Sequence, residues 1–218
     1  MTPAFSMLLA RHPAVQVVAG LCYGRLDVDL AAGWQDCVAG WQRIWCEGMV
    51  ARSSGTTGAP LPSEIRVFHA PASRCALSAQ LLVEVSGQGA HAGQRPMACE
   101  SDSRLAELDF GNWENRLWSD VPRDALDEWA ANPMGYAPGG GETVQALSHR
   151  VTGFWQERMA AAQDCCIVTH GGPLRVMLAL AERRPFEVSD PAPAPGAAIL
   201  LHFFNNPGGF VAQKPPIR

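Results

Sequence analysis

Arg11-His12 closes a short apolar run, Met7-Leu8-Leu9-Ala10, and so sets a cation and an imidazole at the end of a buried strand. A second histidine, His170, ends the apolar stretch Ile167-Val168-Thr169 in the same manner and is followed by Gly171-Gly172. Arg74 stands after Ala70-Pro71-Ala72-Ser73, at the mouth of another strand-to-helix turn. Guanidinium forks match phosphate oxygens in bidentate geometry. A neutral imidazole nitrogen can attack phosphorus and form a covalent intermediate. Two histidines and two arginines delivered to three strand ends would therefore build a cationic pocket for a phosphate.

Within that pocket His12 is the candidate nucleophile, with Arg11 and Arg74 binding phosphate and disfavouring the imidazolium. His170 would bind a nonbridging oxygen and stabilise charge in the transition state. Transfer from an ester also needs a proton for the leaving oxygen. Glu107, in Arg104-Leu105-Ala106-Glu107-Leu108-Asp109-Phe110-Gly111, is the candidate acid, and Asp109 and Glu114 are its rivals. His69, His91, His149 and His202 lack a comparable setting and are read as hydrogen-bonded core residues.

The elements that must position these groups are legible as alternating strands and helices. Strands are expected at 7–10, 65–69, 96–99, 165–169 and 197–203. Trp34, Val38, Trp41 and Trp45 recur at helical spacing, which predicts a helix over 32–51 with the tryptophans as packing residues. A second helix is expected over 74–85, with Ala76, Leu77, Ala79, Leu81 and Leu82 available to the core. Flexible loops are read at 53–62 and 86–94. Residues 112–142 read as an excursion of short helices whose Trp113, Trp118 and Tyr136 pack, and a long helix follows over 142–162. Pro173 suits the first turn of a helix beginning at Gly171, because its missing N–H is not needed there. Such alternation implies a mostly parallel sheet covered on both faces, with ligands gathering beyond the carboxyl ends of its strands.

Bulk properties exclude other classes. The chain has 218 residues, a length that fits one α/β domain. A net charge of −4 gives no general attraction to nucleic acid or to an anionic membrane. The seven cysteines form no C-x-x-C pair and no zinc-like cluster, which fits reduced thiols in the cytoplasm rather than a disulfide framework or a metal site. The apolar run before Arg11 is too short for a membrane span or a signal-peptide core. The glycines at 139–141 lack the Lys-Ser/Thr of a nucleotide loop, and neither G-x-S-x-G nor H-E-x-x-H occurs.

Together, Leu9-Ala10-Arg11-His12, Ala70-Pro71-Ala72-Ser73-Arg74, the segment from Arg104 through Gly111 to Asn112-Trp113-Glu114, Pro138-Gly139-Gly140-Gly141-Glu142-Thr143 and Val168-Thr169-His170-Gly171-Gly172 resemble the motifs of the histidine phosphatase superfamily, the phosphoglycerate mutase-like family. The resemblance implies a three-layer α/β/α sandwich and a metal-independent phosphomonoesterase. It implies a phosphohistidine on His12, phosphate binding by Arg11, Arg74 and His170, and proton donation by Glu107, with no cofactor. The segment from Gly20 to Leu30, which contains Tyr23 and Gly24, resembles that of α-ribazole phosphatase-like members. It makes α-ribazole 5′-phosphate a candidate substrate, with Tyr23, Gly24 and Gly171 as expected substrate contacts.

Departures from the family pattern matter. Pro13 replaces the usual glycine after the first histidine, Ala14 and Val15 replace polar residues, and Ala70 stands where serine is common. Proline removes a backbone donor. The loss of polar groups argues against a phosphoglycerate mutase-type phosphotransferase. It keeps alive a catalytically idle phosphate-binding or interaction module on the same fold. The expected partner is a small phosphomonoester rather than nucleic acid or membrane, and a homodimer is compatible with the sequence.

Overall fold

The computed structural model describes residues 3–53, 64–88 and 97–214. The loops expected at 53–62 and 86–94 fall mostly outside these residues, as does His91. Among the described residues, six strands form one sheet in the order β3-β2-β4-β1-β5-β6. They are β1 (Phe5–Arg11), β2 (Ile65–His69), β3 (Met97–Ser101), β4 (Cys165–Thr169), β5 (Ala198–Asn206) and β6 (Gly209–Gln213). The two central strands are apolar on both faces and almost wholly buried, the signature of strands covered from each side.

Helices α1 (Trp34–Ser53) and α2 (Ser73–Gln88) pack on each other, as do α4 (Val144–Ala161) and α5 (Gly171–Ala181). In α1, Val38, Trp41 and Trp45 are buried, as the stripe predicted, and Trp41 Nε1 donates to the Gly196 carbonyl at 2.7 Å. In α2 the expectation for Leu77 fails, because its side chain is 48% exposed. The buried positions of this helix are Arg74, Cys75, Ser78, Ala79, Leu82 and Ser86, which recur along one face, and Leu77 lies off that face.

Register decides where the chemistry gathers. Arg11 lies opposite Thr169 across the parallel β1–β4 pair, and His69 lies opposite Val168 across β2–β4. Three neighbouring parallel strands thus end level with one another, and Arg11, His12, Ala70 and His170 leave the sheet at one edge. The sheet is not wholly parallel. β5 pairs antiparallel with β1 and β6 antiparallel with β5, so only β5 runs against the rest. β6 was not expected; it follows a tight hairpin at Asn206–Gly209.

The excursion consists of 3₁₀ turns at Gly111–Trp113, Trp118–Asp120 and Pro138–Gly140 together with α3 (Arg123–Ala131). It builds a small core in which Trp113, Trp118, Trp129 and Tyr136 pack ring against ring around Cys22 and Val121. Backbone bonds between Cys22 and residues 115 and 116 tie the excursion to the loop at 20–30. No helix among the described residues is long and apolar enough to cross a membrane.

Candidate active site

His12 leaves β1 buried, with its ring centroid 5.0 Å from that of His170 and the two planes 66° apart. Its Nδ1 lies 2.7 Å from the Pro13 carbonyl oxygen. A carbonyl can only accept, so Nδ1 carries the proton and Nε2 keeps its lone pair. Pro13 lacks a backbone donor, yet the carbonyl that orients the ring is retained. Burial is the main force holding His12 neutral: opposed by the bond to Pro13 and reinforced by Arg74 and Arg11, it brings the pKa down to about 3. Burial, followed by His12 and the guanidiniums of Arg74, Arg11 and Arg150, depresses His170 well below its ordinary value.

Arg74 is almost fully buried. Its Nη1 donates to the Leu26 carbonyl at 2.8 Å and its Nη2 to that of Gly24 at 2.6 Å, with His170 Nδ1 at 3.4 Å. Asp27 accepts from both Ser73 N–H and Ser73 Oγ, so the same loop caps the helix that carries Arg74. The Arg74 guanidinium lies 5.6 Å from the Tyr23 ring centroid. Tyr23 and Gly24 therefore both stand beside the Arg74 guanidinium. Gly24 is required by close approach, since a Cβ there would fall 2.0 Å from the Leu108 carbonyl oxygen.

Arg11 Nη1 donates to the Pro193 carbonyl at 2.7 Å. A Cβ on Gly171 would meet Arg11 Cζ at 3.3 Å, so this glycine lets the guanidinium lie across the start of α5. Among the described residues, the Nε groups of Arg11 and Arg74 are both buried without a hydrogen-bond partner. Donors of that kind are costly to leave unsatisfied, and they suit an anion.

The three carboxylates have different hydrogen-bond settings. Glu107 accepts from Leu108 N–H at 2.9 Å and from Gly172 N–H at 3.1 Å, which ties it to the first turn of α5 beside His170. Glu114 instead staples the loop at 20–30, accepting from the N–H groups of Arg25, Leu26 and Phe110. Asp109 accepts from Gly111 N–H and pairs with Arg25 at 3.4 Å. The remaining described histidines stay out of the site. Nδ1 of His69 bonds the Ala70 carbonyl and that of His202 bonds Ser6 Oγ. His149 is exposed on α4, not buried as expected.

Sequence reading missed Cys75, whose Sγ lies 3.5 Å from His170 Nε2. It also missed Arg150, which bonds the backbone that carries Glu107. Helical spacing could have placed Cys75 on the buried face, but nothing local marks Arg150. Among the described residues no group of three or more His, Cys, Asp or Glu side chains could hold a metal ion.

Fold and cluster together define a three-layer α/β protein with two histidines and two arginines at one sheet edge. The sequence profile of the histidine phosphatase superfamily (branch 1) matches residues 61–208, more than half of the chain, and the protein belongs to that family. Arg11 and His12 precede the matched span; the sheet register is what brings them to Arg74 and His170. The chain is similar in fold to the α-ribazole phosphatase from Shigella flexneri, with 22% identity and a TM-score of 0.71 over 96% of this chain and 95% of that one. It is also similar in fold to a mycobacterial glucosyl-3-phosphoglycerate phosphatase, with 15% identity and a TM-score of 0.70 over 97% of each chain. A third likeness is to Bacillus stearothermophilus YhfR, with 19% identity and a TM-score of 0.69 over 96% of each. At these identities the likeness shows the fold. Comparison with curated proteins gives no match.

Proposed function

We propose that the protein is a metal-independent phosphomonoesterase that works through a phosphohistidine on His12. The observation that carries this reading is the pair of imidazoles 5.0 Å apart between Arg11 and Arg74, each arginine with a buried, unpartnered Nε. Nonbridging phosphate oxygens bind Arg11, Arg74 and His170. Nε2 of His12 attacks phosphorus; the P–N bond forms as the P–O bond to the alcohol breaks. The leaving oxygen takes its proton from Glu107. Glu107 then accepts a proton from water, which attacks the phosphohistidine, releases inorganic phosphate and restores neutral His12.

α-Ribazole 5′-phosphate is the substrate we propose first. The segment from Gly20 to Leu30 supports it, as does the fold shared with the Shigella enzyme. Tyr23, Gly24 and Gly171 would then line the path of the leaving alcohol. The mycobacterial glucosyl-3-phosphoglycerate phosphatase shares the fold equally well, so a panel of phosphomonoesters is the proper assay. Acid-quenched reactions are expected to trap phosphate on the wild-type protein and none on His12→Ala. Unchanged hydrolysis by His12→Ala would refute the reading. Tight phosphate binding without turnover would favour the idle module instead, which the apolar residues Pro13, Ala14 and Val15 motivate.

A further inference from the structure

Among the described residues, the segment that carries Glu107 has no strand partner, and its carbonyls are held by side chains. After the 3₁₀ turn at Ser103–Leu105 the chain passes Ala106 and Glu107 outside any sheet ladder. Carbonyls left there without donors would be costly. All four from residue 104 to 107 are satisfied. Thr169 Oγ1 donates to Leu105 at 2.6 Å. Arg150 Nη1 donates to Arg104 and to Ala106 at 2.7 Å each, and its Nη2 to Glu107 at 3.1 Å. The other edge of the same guanidinium grips Glu142, Nε to Oε1 and Nη2 to Oε2, both at 2.7 Å. Both side chains are mostly withdrawn from water, 16% and 13% exposed.

We propose that Arg150, held by Glu142, is a positioning residue for the acid–base step: it fixes the backbone from which the Glu107 carboxyl reaches the pocket. The inference rests on Glu107 as the proton donor. Geometry gives it a reason beyond folding. Arg150 touches the three carbonyls through one rigid fork, so a shift of the guanidinium moves the backbone of the acid itself. A lysine ammonium keeps the charge but has no fork with which to hold three carbonyls and a carboxylate together. Arg25 joins the same hub from the substrate-side loop, reaching Glu142 at 3.3 Å and Asp109 at 3.4 Å.

The test compares two esters: an alkyl phosphate, whose leaving oxygen needs a proton, and 2,4-dinitrophenyl phosphate, whose leaving group does not. The rate read is phosphoenzyme formation by rapid acid quench. Arg150→Lys is expected to slow the alkyl ester about ten-fold or more while changing the dinitrophenyl ester by less than about three-fold, with KM for both nearly constant. Combined with Glu107→Gln, it should add no further loss on the alkyl ester. Should Arg150→Lys fail to fold, Glu142→Gln, which keeps an acceptor for Nε but removes the counter-charge, carries the same comparison. An equal loss on both esters, or losses that multiply in the double variant, overturns the inference. If Glu107→Gln itself slows both esters alike, the acid assignment falls, and the positioning role falls with it.

Discussion

Nδ1 of His12 and the carbonyl oxygen of Pro13 are 2.7 Å apart, so the residue that departs from the family pattern also sets the tautomer of the proposed nucleophile. Its missing N–H and its carbonyl act on different groups, and only the first is lost. Phosphorylation should therefore fall on Nε2. ³¹P NMR of the trapped intermediate, compared with the two phosphohistidine isomers, decides it. A signal from the Nδ1 isomer would contradict the orientation described above.

Gly172→Ala should separate chemistry from folding. A Cβ at this position would sit 2.2 Å from Glu107 Oε1, the end of a flexible side chain, while the residue lies in the first turn of a helix. Helix propensity favours alanine by about 1 kcal/mol, so thermal melting should change little. Displacing the carboxyl should slow turnover of alkyl phosphates by about ten- to a hundred-fold. Activity equal to wild type would show that Glu107 does not act from its observed place.

Gly24→Ala should behave in the opposite way. Its Cβ would meet the Leu108 carbonyl at 2.0 Å and the Phe110 ring at 2.7 Å, so backbone must move. Overpacking of this kind costs about 1–3 kcal/mol. The loop that holds Arg74 through Gly24 and Leu26 would shift with it. Urea unfolding should show the loss, and phosphate affinity should fall in parallel. A variant as stable as wild type, with unchanged phosphate binding, would contradict the packing described.

Acid should destabilise the fold through the site itself. His12 falls from an ordinary 6.5 to about 3 in the folded protein, and His170 is shifted in the same direction. Between those values the unfolded chain binds protons that the native state refuses. Stability is therefore complete above about pH 6.5 and declines towards pH 3, at up to about 1.4 kcal/mol per pH unit for each histidine. Urea titrations at pH 7, 6, 5 and 4 should show this slope, and His12→Asn should reduce it. A slope identical in the variant would remove His12 from the account. The same shift implies that His12, the proposed nucleophile, stays neutral well below pH 6, so any acid limb in kcat/KM near that value belongs to another group.

Much of the scaffold is legible locally. The apolar runs of β1 and β4 and the turns after them mark their own ends, because burial on both faces needs an apolar run and the turns carry Pro13 and Gly171. The tryptophan stripe of α1 is equally local, since 3.6-residue periodicity belongs to the helix alone. The limits are local too. Leu77 satisfies any count of apolar residues in α2, yet the face actually buried runs through Cys75, Ala79 and Leu82. β6 exists because β5 offers it an edge, and no strong period announces it.

The residue types at the site, His12, His170, Arg11, Arg74 and a carboxylate near 107, were determined by the sequence, since each sits at an identifiable strand end or turn. Which of the nearby carboxylates meets the helix that follows His170 was decided by tertiary structure: Glu107, Asp109 and Glu114 share one local setting, and Glu107 accepts from Gly172 N–H. The hold of Arg150 on Glu107, 43 residues away in the chain, is of the same kind. Register, and hydrogen bonds that span the chain, depend on how separate segments meet, whereas periodicity and turn chemistry act over only a few residues.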